Sequence, residues 1–116
     1  MAFVTGRAVR WVSDEPFPGW VEVLLTDAHG AEWSLFDKPT AFDDEGRLRG
    51  NTAYPVDVDV ACEVVGRGQL ADGTEVLTVS TRLPFGIEAA DGRTEFLVDV
   101  DQVRDVDQVR DVDQAR

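Results

Sequence analysis

Between Val56 and Val64 the chain alternates strictly. Val56, Val58, Val60, Cys62 and Val64 fall on one side, and Asp57, Asp59, Ala61 and Glu63 on the other. A helix groups residues three and four apart on one face, so a strict period of two marks a strand with one buried and one wet face. Half-buried strands of this kind belong to antiparallel sheets.

The same pattern recurs along the chain. Val4 to Val12 opens it, Trp20 to Thr26 and Ala31 to Phe36 follow, and Glu75 to Ser80 and Thr94 to Val98 complete the set. Turn sequences separate the runs: Asp27-Ala28-His29-Gly30, Ala71-Asp72-Gly73-Thr74 and Ala90-Asp91-Gly92-Arg93, each with a glycine for a left-handed position. Strands of roughly 5–9 residues at such spacing predict an all-β fold. The expected architecture is a small five- to six-stranded antiparallel barrel or sandwich, OB- or SH3-like. An irregular loop is expected around residues 37–55. Gly46 and Gly50 leave room there for no more than one short helical turn within Thr40 to Asn51.

A hexad repeat closes the chain. Asp99 to Arg104 is repeated in Asp105 to Arg110, and again with Ala115 in place of valine. Valine every third residue alternates faces on a strand, and on a helix it drifts by about 60° per step. Neither geometry gives a buried stripe over the whole repeat. The first copy is expected to finish the last strand, with Phe96, Val98 and Val100 alternating. The expected division is thus one β domain at 1–100 and a solvated acidic extension at 101–116.

The chain has 116 residues and a formal net charge of −12, with 23 acids against 11 bases. Phosphate backbones and anionic membranes are held by clustered Lys and Arg, and here the bases are scattered with Lys38 the single lysine. Neither nucleic acid nor membrane is therefore an expected partner. The N-terminal residues lack a basic-then-apolar leader pattern, and one cysteine allows no intrachain disulfide. A cytoplasmic location is expected, with the chain a monomer or a homodimer.

Chemistry-bearing motifs are few. Gly66-Arg67-Gly68-Gln69-Leu70-Ala71 has the letters of a dinucleotide fingerprint, but Asp72-Gly73-Thr74 and another strand follow where that fingerprint needs a helix, so the segment reads as a hairpin connection. His29, the single histidine, lies in a turn sequence. Ser13, Ser34 and Ser80 have no nucleophile context. Asp43-Asp44-Glu45-Gly46 lacks the ligand spacing of a calcium loop, and one His with one Cys excludes the usual zinc sites. No catalytic residue, cofactor or metal is expected. A carboxylate-based enzyme would need two acids converging in one cleft with separated pKa values.

Two readings carry further. An acidic face including Asp57, Asp59 and Glu63, with Trp20, Trp33, Phe42 and Phe85 as apolar contacts, points to a non-enzymatic interaction module that meets, and neutralises, a basic protein partner. The alternative is a small-ligand-binding β-barrel that uses the Trp and Phe residues. Two proline-containing segments, Asp37 to Phe42 and Arg82 to Glu88, are expected to cap the barrel ends.

Overall fold

The computed structural model describes residues 1–105, and the repeat copies beyond them lie outside the described residues. The chain is all-β, an antiparallel sheet curled into a half-barrel. Its strands are β1 (Ala2–Ser13), β2 (Trp20–Thr26), β3 (Glu32–Asp37), β4 (Val56–Gln69), β5 (Glu75–Ser80), β6 (Glu88–Ala89), β7 (Glu95–Asp99) and β8 (Val103–Asp105). They run in the order β6-β3-β2-β1-β4-β5-β7, with β8 paired to β1.

Expectation and structure agree for β2 and β5 to the residue. Two short strands, β6 and β8, raise the five or six expected to eight among the described residues. The irregular loop starts one residue later than expected, at Lys38, and carries a single 3-10 turn at Pro39–Ala41.

β1 is the hub. Its first half pairs with β4 (Val4↔Val60, Ala8↔Val56) and its second half with β2 (Ala8↔Val23, Trp11↔Val21). Val4, Val21, Val23, Leu25, Leu35, Val60, Val79, Ile87, Phe96 and Val98 fill the concave side. Apolar burial at ~25 cal/mol per Å² makes this layer the main source of stability. Gly6 sits where the curl is tight. A β-carbon there would come within 2.9 Å of Val23 and 3.1 Å of Val60, so no larger residue fits without movement.

The alternation of β4 fails at its far end. Val58, Val60 and Cys62 are buried as expected, but Val64 is 37% exposed and Val65 53%. Val65 is the extra residue of a β-bulge, since Val64 pairs with Val79 and Gly66 with Thr78, while Val64 lies past the Ala2↔Cys62 pair where β1 begins. Beyond the bulge β4 runs on to Gln69, so the Gly66–Gln69 segment is strand rather than connection.

The first repeat copy also departs from expectation. β7 stops at Asp99, whose backbone amide donates to Gln102 Oε1 at 2.9 Å, and a 3-10 turn at Val100–Gln102 redirects the chain. Gln102 Nε2 donates to the Thr26 carbonyl at 2.8 Å. β8 then pairs with β1 (Ala2↔Asp105, Val4↔Val103). Residues 101–105, assigned to the extension on sequence, are thus woven into the sheet. A two-fold periodicity could not foresee this, because the turn is set by one side-chain cap and a contact distant in sequence.

Candidate functional site

The outward side of β1 carries Phe3, Thr5 and Arg7, and that of β4 carries Asp57, Asp59 and Ala61. Register sets Phe3 across from Ala61 on one side and from Arg104 on the other. The Arg104 guanidinium lies over the Phe3 ring at 5.2 Å and reaches Asp59 at 2.5 Å. Phe3 thus supplies a flat apolar floor on an otherwise polar face.

Two loops wall this floor. In the first, the 3-10 turn at Pro39–Ala41 is closed by the Phe42 and Asp43 amides donating to the Pro39 carbonyl. Phe42 points inward and is buried. Asp43 accepts from the Arg47 amide at 2.8 Å and from its guanidinium at 2.9 Å. Burial pushes the Asp43 carboxyl up, but the Arg47 amide and guanidinium outweigh it and hold the group below the usual carboxylate value. The Arg47 guanidinium is pushed up by the same contact. Asp44 and Glu45, next along the loop, face solvent.

The second wall is the loop between β5 and β6. Thr81, fully buried, donates from Oγ1 to the Ile87 carbonyl at 2.6 Å, while the Ile87 amide donates back to the Thr81 carbonyl at 3.1 Å. The Thr81 amide donates to the Thr94 carbonyl at 2.8 Å and the Gly86 amide to the Arg82 carbonyl at 2.8 Å. This closed loop buries Ile87 and turns Leu83 and Phe85 out, 49% and 53% exposed. A buried side chain with such short bonds costs more to disrupt than an ordinary loop contact, so the display is fixed.

Together these elements enclose a cleft of about 490 Å³ lined by Met1, Phe3, Phe42, Phe85 and by Asp43, Asp44, Glu45, Asp59, Arg47 and Arg104. Its walls are aromatic and its charge leans negative. Chemically it is suited to holding an apolar side chain flanked by a cation. Asp43 and Asp59 are each engaged by a guanidinium, Glu45 lies 3.8 Å from that of Arg47, and Asp44 faces solvent. Among the described residues, no group of three or more His, Cys, Asp or Glu is arranged to hold a metal.

Of the residues singled out on sequence, Asp59, Phe42 and Phe85 meet in this cleft. Asp57 lies in a separate groove with Arg7, Asp99 and Asp101, and Glu63 in another with Val64, Leu83 and Pro84. Phe42 is floor rather than contact surface. Trp20 and Trp33 are half-buried and outside the cleft. Trp33 is fully employed: its indole donates to Asp27 at 2.9 Å, its ring meets Phe96 edge-on at 6.0 Å, and Arg93 lies over it at 4.2 Å. Of the two proline-containing segments, Asp37 to Phe42 caps the sheet, whereas Arg82 to Glu88 caps only through Ile87. Phe3 and Arg104 were missed. The available signal for Phe3 was an aromatic on the polar side of an alternating strand.

Comparison with protein-family models, with curated proteins and with solved structures returns no match to this chain.

Proposed function

We propose that this chain is a non-enzymatic protein-interaction module that receives a basic protein partner in the Phe85 cleft, masking the part of the partner it covers. One observation carries the reading. Phe85 is held out to solvent by a loop whose backbone is closed on itself, in the same cleft as the carboxylates of Asp44, Glu45 and Asp59. Exposed apolar side chains on a rigid loop, rimmed by like charge, have the make-up of an interface with a central anchor and a charged surround. The formal net charge of −12 selects a cationic partner and speeds encounter with it.

The finer architecture belongs to the same proposal: a small barrel of the OB or SH3-like kind. Its support is the return of the chain from β7 through a 3-10 turn into β8 beside β1, which brings the last strand to the first. Among the described residues no helix is long and apolar enough to cross a membrane, which suits the cytoplasmic location we assign. The ligand-barrel alternative draws no support from the packing. The concave side of the sheet is filled by Val4, Val23, Leu35, Val60, Val79 and Phe96.

The test is capture from a native lysate on immobilised protein at about 50 mM and about 500 mM salt, repeated with Phe85→Ala. The expected result is a basic protein retained in stoichiometric amount at low salt and lost at high salt. Phe85→Ala, which removes an exposed side chain and leaves the fold intact, should weaken that complex roughly 30-fold, the effect of a central anchor worth about 2 kcal/mol. A partner retained equally by both proteins would sink the cleft as its site.

A further inference from the structure

The cleft beside Phe85 already holds a cation of the chain's own. Phe3 on β1 has Arg104 of β8 directly across on one side and Ala61 of β4 on the other, and Asp59 lies two residues along β4 from Ala61. Arg104 reaches back over β1, from one neighbouring strand toward the other. Its guanidinium carbon stands 5.2 Å from the centre of the Phe3 ring, and Nη2 stands 2.5 Å from Asp59 Oδ2. One flat group covers an aromatic face and meets a carboxylate in the same pose. All three residues line the cleft together with Phe85.

That pose suits a guanidinium. The group is planar and weakly hydrated and carries its donors in a fork, so it lies on a ring and aims a nitrogen at an acid at once. An ammonium is a compact, strongly hydrated point charge and gives up one contact to make the other. The in-chain contact is also one that yields. The Arg104 and Asp59 side chains are 58% and 49% exposed, and exposed ion pairs and exposed cation–π contacts hold weakly. Asp44, exposed on the loop that walls the cleft, adds a second carboxylate for an incoming cation.

We infer that the cleft is an arginine-binding site, which Arg104 occupies in the free protein and from which an arginine of the partner displaces it. The inference rests on the reading that a basic partner enters this cleft, and it adds which cation enters and what leaves. Displacement exchanges one guanidinium for another, so the Phe3 ring and the Asp59 carboxylate stay covered in both states. Arg104 thereby sets a threshold that selects against partners whose charge is carried by lysine.

The test is a titration of the isotope-labelled full chain with two probe peptides, acetyl-Arg-Leu-amide and acetyl-Lys-Leu-amide, read by the amide chemical shifts of Phe3, Asp59 and Phe85. The same spectra report that each variant is folded. Wild type should bind the arginine peptide about fivefold tighter than the lysine peptide. Arg104→Ala should bind the arginine peptide about three- to fivefold tighter than wild type does, with a smaller gain for the lysine peptide. Arg67→Ala removes the same charge from an exposed position about 25 Å along β4 from Asp59, and should change both affinities by less than about 1.5-fold. Adding Asp59→Asn to Arg104→Ala should abolish the preference for arginine. Arg110 and Arg116 each close a further copy of the hexad, so Arg104→Ala is repeated with Arg110→Ala and Arg116→Ala added.

Equal binding of the two peptides overturns the inference. So does Arg104→Ala that binds the arginine peptide no tighter than Arg67→Ala does, with and without the two added substitutions, or the absence of any shift at about 20 mM peptide. Capture from lysate reads the proposed function separately. A partner held through Phe85 but held no tighter by Arg104→Ala than by wild type keeps that function and removes this inference. Selective binding of the arginine peptide with no partner captured keeps the arginine site and removes the protein partner.

Discussion

Phe96→Ala should destabilise the fold by about 3–5 kcal/mol, enough to leave a domain of this size partly unfolded at 25 °C. Phe96 is 2% exposed and lies in β7, opposite Val79 of β5, with the Trp33 ring edge-on to it at 6.0 Å. Its loss empties the place where β7 meets the β2–β3 side of the half-barrel, and the surrounding valines cannot collapse into the space without moving strands. Thermal unfolding would read this as a fall of more than about 12 °C. Phe17, 93% exposed, supplies the control. Phe17→Ala should change stability by no more than about 0.5 kcal/mol. Similar losses at both positions would mean that the core has been misplaced.

Gly19→Ala should be the most damaging of the glycine substitutions, at about 3 kcal/mol or more. Gly19 has φ of +116°, a conformation in which a side chain is strained by about 1–3 kcal/mol. A β-carbon there would also stand 2.3 Å and 2.5 Å from two atoms of the Trp11 ring. That ring is not free to retreat, because its indole donates to Asp14 at 2.7 Å. Gly30, at φ of +84° with open space around it, carries the backbone strain without the collision. The difference between Gly19→Ala and Gly30→Ala in chemical denaturation isolates the steric part. Equal losses would show that the indole yields, and that it does not fix the chain between β1 and β2.

Local pattern carried much of the fold. β2 and β5 are regular, short and bounded by turn residues, and both were legible to the residue. β4 was legible only up to Cys62, because the bulge at Val65 depends on the register against β5 and the exposure of Val64 on where β1 begins, and one strand encodes neither. β8 was hidden behind the repeat. Its identity as a strand comes from β1, about a hundred residues earlier, and from the cap that Gln102 makes on Asp99.

The cleft was less legible than the fold. Phe85 stood out as an aromatic beside Pro84, and its exposure follows from the Thr81–Ile87 closure, which a sequence does not display. Asp57, Asp59 and Glu63 looked like one acidic face because they alternate on one strand. The strand twists and other elements rise between them, so each ends in a different groove. Arg104 joins the cleft only because β8 returns to β1.

The central claim, that a basic partner is held in the cleft beside Phe85, is tested most directly by amide hydrogen exchange on the protein alone and in complex with the partner captured from lysate. Slowed exchange is predicted along 40–47 and 82–86, the two loops that wall the cleft, with the β2–β3 turn at 27–30 unchanged. Protection that falls on the 27–30 turn and leaves both cleft loops untouched would contradict it.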